Sequence, residues 1–377
     1  MQKVRIEKLS CEKFRNIDNI VFSAHPKMNI LYGDNAQGKT NILEAIWLFT
    51  GQKSFQNARD IQIIQNGSKY SNLSLDFSDE RRMQHIDLRL EEKKRIVLLN
   101  DVKLKSSSKL CQTFLAVIFS PVHLEIASDG PAVRRRFLDD AISQINIKYF
   151  DYLSQYEKVL DQRNSLLKDI KRYPSLEGTL DIWDMQLAKL GTIITIYRND
   201  YVNRLKKYAS EIYSGFSKEV FKSEYCSTIF EQAENIDKYT DSNINLYYNA
   251  LKNSRDKDTL LKYTSVGIHR DDLNLYINEL PVRSYSSQGQ KRSVVLTLKL
   301  AEAKLLKDVT DENPVILFDD VLSELDESRQ EYLLNRLEDF QVFITCCDPA
   351  NTTRHKNGKV FHVKNGEIID QRITEGE

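Results

Sequence analysis

The sequence predicts an α/β protein whose main domain is discontinuous, made from both ends of the chain around a helical insert. Residues 1 to about 130 read as short strands separated by Asn-, Asp- and Gly-containing turns. From about 130 the pattern changes to long helical stretches, and from about 264 strand-like and helical segments alternate again. A length of 377 residues suits two or three structural units. The expected boundaries are a strand-rich lobe over 1–130, a helical insert over 131–263 and a completing segment over 264–377.

The N-terminal strands are expected at Val4–Leu9, Ile20–Phe22, Met28–Tyr32, Ser71–Phe77, His85–Leu90 and Ile96–Leu99, with one strong helix, Lys39–Leu48, among them. From Tyr149 the apolar positions fall at Leu153, Tyr156, Leu160, Leu167 and Ile170, a spacing of fours and threes broken once by Arg163. After a turn at Pro174–Gly178 the stripe resumes at Leu180, Trp183, Leu187, Leu190, Ile194, Tyr197 and Tyr201. Two such stripes joined by a short turn predict an antiparallel helical hairpin, either an extended arm or two core helices of a bundle. Towards the C-terminus the apolar runs Val315–Phe318 and Val342–Thr345 suit buried parallel strands, and Asn365-Gly366 marks a two-residue hairpin turn.

Composition excludes several classes. With 41% hydrophobic and 29% charged residues but only 13 Gly and 7 Pro, the chain is neither disordered nor collagen-like. Lys plus Arg and Asp plus Glu both total 54, so bulk charge neither requires nor excludes a nucleic-acid partner. No apolar run approaches the roughly 18 residues of a membrane span, and Met1 to Arg5 lead into no signal-type apolar segment; a cytoplasmic protein without membrane contact is expected. The cysteines at 11, 111, 226, 346 and 347 form no CxxC pair, and His25, His85, His123, His355 and His362 show no metal-ligand spacing.

The chemistry is concentrated in a few segments. Residues 28–40 read as an apolar strand, then Gly33-Asp34-Asn35-Ala36-Gln37-Gly38-Lys39-Thr40, then a helix, which is a Walker A phosphate loop in its strand-loop-helix context. Glycines let successive amides curl around a triphosphate, Lys39 neutralises β and γ phosphates, and Thr40 offers its hydroxyl to Mg²⁺. All eight residues are therefore expected at the nucleotide. Pro314-Val-Ile-Leu-Phe-Asp319-Asp320 supplies the matching Walker B strand: Asp319 for the Mg²⁺ shell and Asp320 as the base that orients the attacking water, unless the two simply cap the next helix. Between them, Tyr285-Ser-Ser287-Gln288-Gly289-Gln290-Lys-Arg292 fronts the apolar helix Ser293–Leu306. Ser287, Gly289 and Gln290 form a second anion-binding loop, which makes sense if it reaches a γ-phosphate held by another subunit; the plainer alternative is an ordinary capped helix.

In order, Walker A, a long helical insert, Ser287-Gln288-Gly289-Gln290 and Walker B resemble the ABC-type ATPase heads of the SMC and Rad50 class, with Ser323-Glu324-Leu325-Asp326 matching the D-loop of that class. The chain is most similar to the RecF family of bacterial recombination and repair proteins. That resemblance runs through Leu9-x4-Phe14-Arg15-Asn16, Phe119-Ser120-Pro121, Arg134-Arg135-Arg136-Phe137-Leu138-Asp139, Trp183-Asp184-x-Gln186-Leu187 and Gly267-x-His269-Arg270-Asp271-Asp272. There are departures: no switch histidine follows Phe343 to Cys347, where Thr345 stands in its place; no Q-loop glutamine is assignable near Ser120 to His123; and Gln288 replaces the usual glycine of the signature.

The resemblance implies an ATP- and Mg²⁺-dependent homodimer that clamps single- and double-stranded DNA, especially gapped duplex, in repair, replication and the SOS response. It further implies RecR and RecO as partners, help to RecA in loading, and weak DNA-stimulated ATP hydrolysis that releases the clamp. Arg134, Arg135, Arg136 and Arg270 are the candidate DNA contacts, set against a salt-bridged helix face. Lys93-Lys94-Arg95, Lys103 and Lys105 are candidates for the same surface, and His269 for nucleotide or DNA. Two other readings remain: the ATPase head of another DNA-processing complex, which the short insert without hinge or zinc hook disfavours, and a transporter ATPase subunit, which the absent switch histidine disfavours.

Overall fold

The computed structural model describes residues 2–79, 82–230, 236–322, 325–348 and 357–374. The chain divides into two compact units, one of Met1–Leu124 with Leu296–Glu377 and one of Glu125–Val295.

The first unit contains two six-stranded sheets. In one the strand order is Glu367–Thr374, Gly358–Lys364, Met28–Tyr32, Val342–Cys346, Val315–Asp319, Ala116–Phe119, and every neighbouring pair is parallel except the first. The continuous apolar runs follow from this placement, since a strand covered on both faces has no polar side to show; Val315–Asp319 and Val342–Cys346 are buried throughout. Asn365 and Gly366 turn the last hairpin with φ of 51° and 79°, the pair of positive angles a two-residue turn of this kind requires. The other sheet is antiparallel, ordered Ile17–Ser23, Arg5–Phe14, Tyr70–Ser78, Met83–Glu91, Lys94–Leu99, Val102–Lys103. Its strands alternate in burial, as in Tyr70–Ser78 with Ser71, Leu73, Leu75 and Phe77 inward.

The helix Lys39–Leu48 is buried along most of its length, and one core joins it to both sheets through residues such as Phe14, Leu43, Trp47, Leu75, Leu317 and Phe343. Each large apolar side chain removed from water here contributes about 1.5–3 kcal/mol. The parallel register pairs Asp319 with Thr345 and Cys346 with Tyr32. The carboxyl ends of three adjacent strands therefore lie side by side, which is where open parallel sheets place their ligand sites.

The second unit carries the helices Pro131–Ile145, Ile147–Asp169, Leu180–Ser214 and Asp241–Asn253 and a three-stranded antiparallel sheet of Phe221–Cys226, Asp272–Ile277 and Leu280–Pro281. It runs on to Val295 rather than stopping near 263, because Phe221–Cys226 pairs with Asp272–Ile277 and carries the following segment with it. The predicted hairpin is formed by the Ile147–Asp169 and Leu180–Ser214 helices. The second of these also packs on Asp241–Asn253 and on Phe221–Cys226, so most of its length serves as core, while the tip has its own small cluster of Leu167, Ile170 and Leu180.

Arg163, which interrupts the apolar stripe, is fully buried and pairs with Asp184 at 2.6 Å and Asp258 at 2.8 Å. The break in periodicity is thus an internal ion triad. Gly191 sits inside the long helix because a Cβ there would lie 2.3 Å from the Tyr247 ring.

Candidate nucleotide site and signature loop

The phosphate loop leaves its strand at Gly33 and enters its helix at Gly38, with φ of 150° and 109°. A Cβ at Gly33 would meet the Val363 carbonyl oxygen at 2.2 Å, and one at Gly38 would meet the Asn16 side chain at 2.9 Å. Gly33 is therefore required by backbone contact as well as by backbone angle, and Gly38 by backbone angle. The crest, Asp34, Asn35 and Ala36, is exposed, and Ala36 also has a positive φ of 65°.

The loop is fastened from outside itself. Asn16 donates to the Ala36 carbonyl at 3.3 Å and accepts from Asn41 at 2.8 Å. Gln37 accepts at its carbonyl from the Gly366 amide at 2.8 Å and at Oε1 from the Asn365 amide at 2.7 Å. Lys39 is buried, and its Nζ donates to the carbonyls of Gly33 at 2.6 Å and Asp34 at 2.8 Å, which holds the ammonium inside the loop. Asn35 Oδ1 lies 3.3 Å from Cys347 Sγ.

Walker B meets this loop directly. Thr40 Oγ1 donates to Asp319 Oδ1 at 2.6 Å, joining positions far apart in the chain. Burial raises the Asp319 carboxyl above the usual carboxylate range and Asp320 adds to the rise, while hydrogen bonds from Thr40 and Thr345 oppose it. Asp320 has φ of 54°, and its amide donates to Thr345 Oγ1 at 2.9 Å. Thr345, at the position where a switch histidine is absent, is buried with its hydroxyl 3.1 Å from Asp319 Oδ1. In the D-loop, Ser323 and Glu324 lie outside the described residues, as does His355. Asp326 caps the helix Glu327–Asn335 by accepting from the Arg329 amide.

The signature helix, Gln288–Thr310, begins in the second unit and starts earlier than Ser293 because Ser287 caps it. Ser287 Oγ accepts from the Gln290 amide at 3.2 Å while Gln290 Oε1 accepts from the Ser287 amide at 2.8 Å, a reciprocal cap. Gln290 Nε2 also donates to Glu219 Oε1 at 2.8 Å, and Tyr213 and Ser217 hold the other oxygen of Glu219. Nothing in the sequence marked Glu219, because its contact is purely tertiary. Ser287 is exposed, and a Cβ on Gly289 would meet nothing within 4 Å.

The basic candidates are redistributed. Arg134 is buried and grips Asp272 with two bonds of 2.7 and 2.8 Å, while donating to the carbonyls of Ile126 and Asp129. All of these bonds are made within its own unit, to a partly exposed carboxylate and two carbonyls. Arg135 donates to the Asp271 carbonyl at 2.6 Å, and Arg136 pairs with Asp140 one helical turn on at 3.5 Å. Arg270 is exposed, lying 4.7 Å over the Tyr263 ring. Lys93, Lys103 and Lys105 are exposed, whereas Arg95 pairs with Asp60 and Lys94 with Glu91.

His269 is turned inward. Its Nε2 lies 3.0 Å from the Thr264 carbonyl and so carries the proton; its Nδ1, 3.0 Å from Tyr156 Oη, accepts. Tyr247 Oη, 3.1 Å from Tyr156 Oη, accepts from the Ile268 amide. Burial pushes the imidazole down to about 4, so it is neutral at physiological pH and links Thr264 to Tyr156. Asp271 is likewise buried, bonded to Tyr225 and to Thr228.

These sites can be set beside known proteins. A model described as the RecF/RecN/SMC N terminal domain matches residues 5–369. The DNA replication and repair protein RecF of Clostridium perfringens (strain SM101) is 39% identical over 368 residues, covering 96% of this chain and 99% of that protein. The chain belongs to the RecF family. Among solved RecF structures, one described as the recombination mediator protein RecF-ATP in the RecFOR pathway has 34% identity and a TM-score of 0.89, with 99% of this chain and 98% of that chain covered. An Smc head domain from Pyrococcus furiosus matches with a TM-score of 0.55 at 15% identity, covering 99% of this chain and 96% of that one, which shows the shared head fold. The α/β ATPase-head class expected from the sequence is therefore the observed one. Among the described residues no helix is long and apolar enough to cross a membrane.

Proposed function

We propose that this chain is an ATP-dependent DNA-binding protein of recombinational repair and replication, in which ATP drives two copies together on DNA and slow hydrolysis lets them part. On this reading the two ends of the chain form the ATPase head, the helical segment is an insert within it, and the protein works in the cytoplasm. The observation that carries the reading is the contact of Thr40 with Asp319 at 2.6 Å beside the lysine-holding loop.

Each residue then has a task. Gly33 to Gly38 give the loop a backbone that can close on phosphates, and the N-terminus of the Lys39–Leu48 helix adds its partial positive charge. Lys39 would exchange its two carbonyl partners for β and γ phosphate oxygens. Thr40 and Asp319 form a pair of hard oxygen donors that suits Mg²⁺, and when bound the ion neutralises charge building on the phosphates. Asp320 would orient the attacking water. The loop at Ser287, Gly289 and Gln290 of a second copy would close over the γ-phosphate. Support comes from Gly289, where a side chain would meet nothing within 4 Å among the described residues, so the first turn of this helix leaves open space beside its amides.

Single- and double-stranded DNA, gapped duplex above all, are the proposed substrates of the clamp, with RecR and RecO as partners and RecA loading as the outcome. Sedimentation with and without ATP and Mg²⁺, and with gapped duplex in parallel, tests the proposal. An ATP-dependent shift from monomer to dimer that strengthens DNA binding is expected; unchanged mass and unchanged DNA affinity with ATP bound would overturn it. Ser287→Arg should bind ATP as a monomer and fail to dimerise.

A further inference from the structure

Thr345 lies in a strand whose other members, Val342, Phe343, Ile344 and Cys346, are apolar and buried. Packing alone would be served equally well there by valine, which has the same shape. The hydroxyl must therefore be explained by what it bonds. It lies 2.9 Å from the Asp320 amide, 3.1 Å from Asp319 Oδ1 and 3.4 Å from the Phe318 carbonyl oxygen. Since an amide can only donate, Thr345 Oγ1 accepts from Asp320; its own proton is left for Asp319, the closer of the two oxygens.

We propose that Thr345 is a positioning residue for the acidic pair, using one hydroxyl to fix the Asp319 carboxylate and the backbone that aims Asp320. The inference rests on the ATP-hydrolysing reading of this site. Two features make the device necessary. Asp319 Oδ1 also receives Thr40, so Thr345 and Thr40 together define the rotation of the carboxylate and leave Oδ2 to face elsewhere. Asp320 holds φ at 54°, a left-handed backbone that an L residue adopts only when its surroundings dictate it. The bond from the Asp320 amide to Thr345 is such a constraint, placed at the residue where the strand ends and the side chain direction is decided. Valine would leave that part-buried amide without this acceptor and free Asp319 to turn. Serine would keep both bonds.

The test compares full-length wild-type protein with Thr345→Val and Thr345→Ser. Thermal melting, ATP binding, Mn²⁺ binding in the presence of ATP by electron paramagnetic resonance, and ATP hydrolysis with gapped duplex are measured. Thr345→Val should bind Mn²⁺ at least tenfold more weakly and lose about tenfold in kcat, in the range seen when a group holding a metal ligand is removed. Its KM for ATP should stay within about twofold, because the phosphate loop is untouched, and Thr345→Ser should restore both readouts. If Thr345→Val fails to fold, Thr345→Ala removes the hydroxyl without overfilling the site and carries the same expectation.

Wild-type values of Mn²⁺ affinity and kcat in Thr345→Val would overturn the inference alone, as would a Thr345→Ser protein as impaired as the valine one. Wild-type protein that binds no Mn²⁺ with ATP would overturn the proposed function as well.

Discussion

The phosphate loop and the Gly267 to Asp272 block are both dense in polar residues, but they use them in opposite ways. In the loop, Asp34, Asn35 and Ala36 stay exposed while Lys39 and Asp319 are held at the rim by a few bonds each. In the block, Asp271 is buried and His269 half-buried, and their hydrogen bonds are directed inward. Polar density alone does not mark a ligand site; what separates the two is that the loop keeps an exposed crest above its bonded groups, whereas the block turns its polar groups inward.

The sharpest way to press this comparison is to remove one cation from each region. Lys39→Met should abolish ATP binding and every ATP-dependent change in mass or DNA affinity, with the melting temperature nearly unchanged, as calorimetry and sedimentation would show. Arg134→Ala should do the reverse. It leaves the partly exposed Asp272 without its partner and should cost about 1–3 kcal/mol in denaturant unfolding. If Arg134→Ala kept its stability and lost only DNA affinity, Arg134 would belong with the ligand-binding group after all.

The His269 prediction depends on pH. The folded imidazole titrates near 4 against 6.5 when unfolded, so between those values the unfolded state binds more protons. Stability should therefore be full above about 6.5 and fall as pH drops towards 4, by on the order of 2–3 kcal/mol. A His269→Gln variant should flatten that part of the stability curve in denaturant titrations at several pH values. An unchanged slope would mean that His269 is not the group responsible.

Legibility in the sequence follows the same division. Lys39–Leu48 was readable to the residue, as was the turn at Asn365-Gly366, because glycine and phosphate-loop spacing encode backbone angles locally. The parallel strands were readable from unbroken apolar runs. Arg134, by contrast, looked like part of a basic stretch, since its partner Asp272 is distant in the chain. Asn16 was visible as part of a family block, but its grip on Ala36 and Asn41 was not. Arg163 offered the one usable clue: a charge placed on an otherwise apolar stripe must be paired inside the core. The extension of the second unit to Val295 depended on strand pairing, which sequence periodicity does not report.

The finest test concerns cations that are neither buried nor at the nucleotide. Arg136 is half-exposed, and its pairing with Asp140 is a helix-surface contact of the kind worth about 0.3–0.5 kcal/mol. Arg270 is exposed but rests on Tyr263 and donates to the Thr264 carbonyl through two long bonds of 3.4 Å, the stacking contributing about 0.5–1 kcal/mol. Neither variant, Arg136→Ala or Arg270→Ala, should lower stability by more than about 1 kcal/mol. A residue that contacts DNA phosphate should nevertheless reduce the salt dependence of gapped-duplex binding by close to one unit of slope when removed. Binding titrations across a salt series separate the two roles: a changed slope assigns that arginine to the DNA surface, and an unchanged slope leaves it as a surface contact of its own unit.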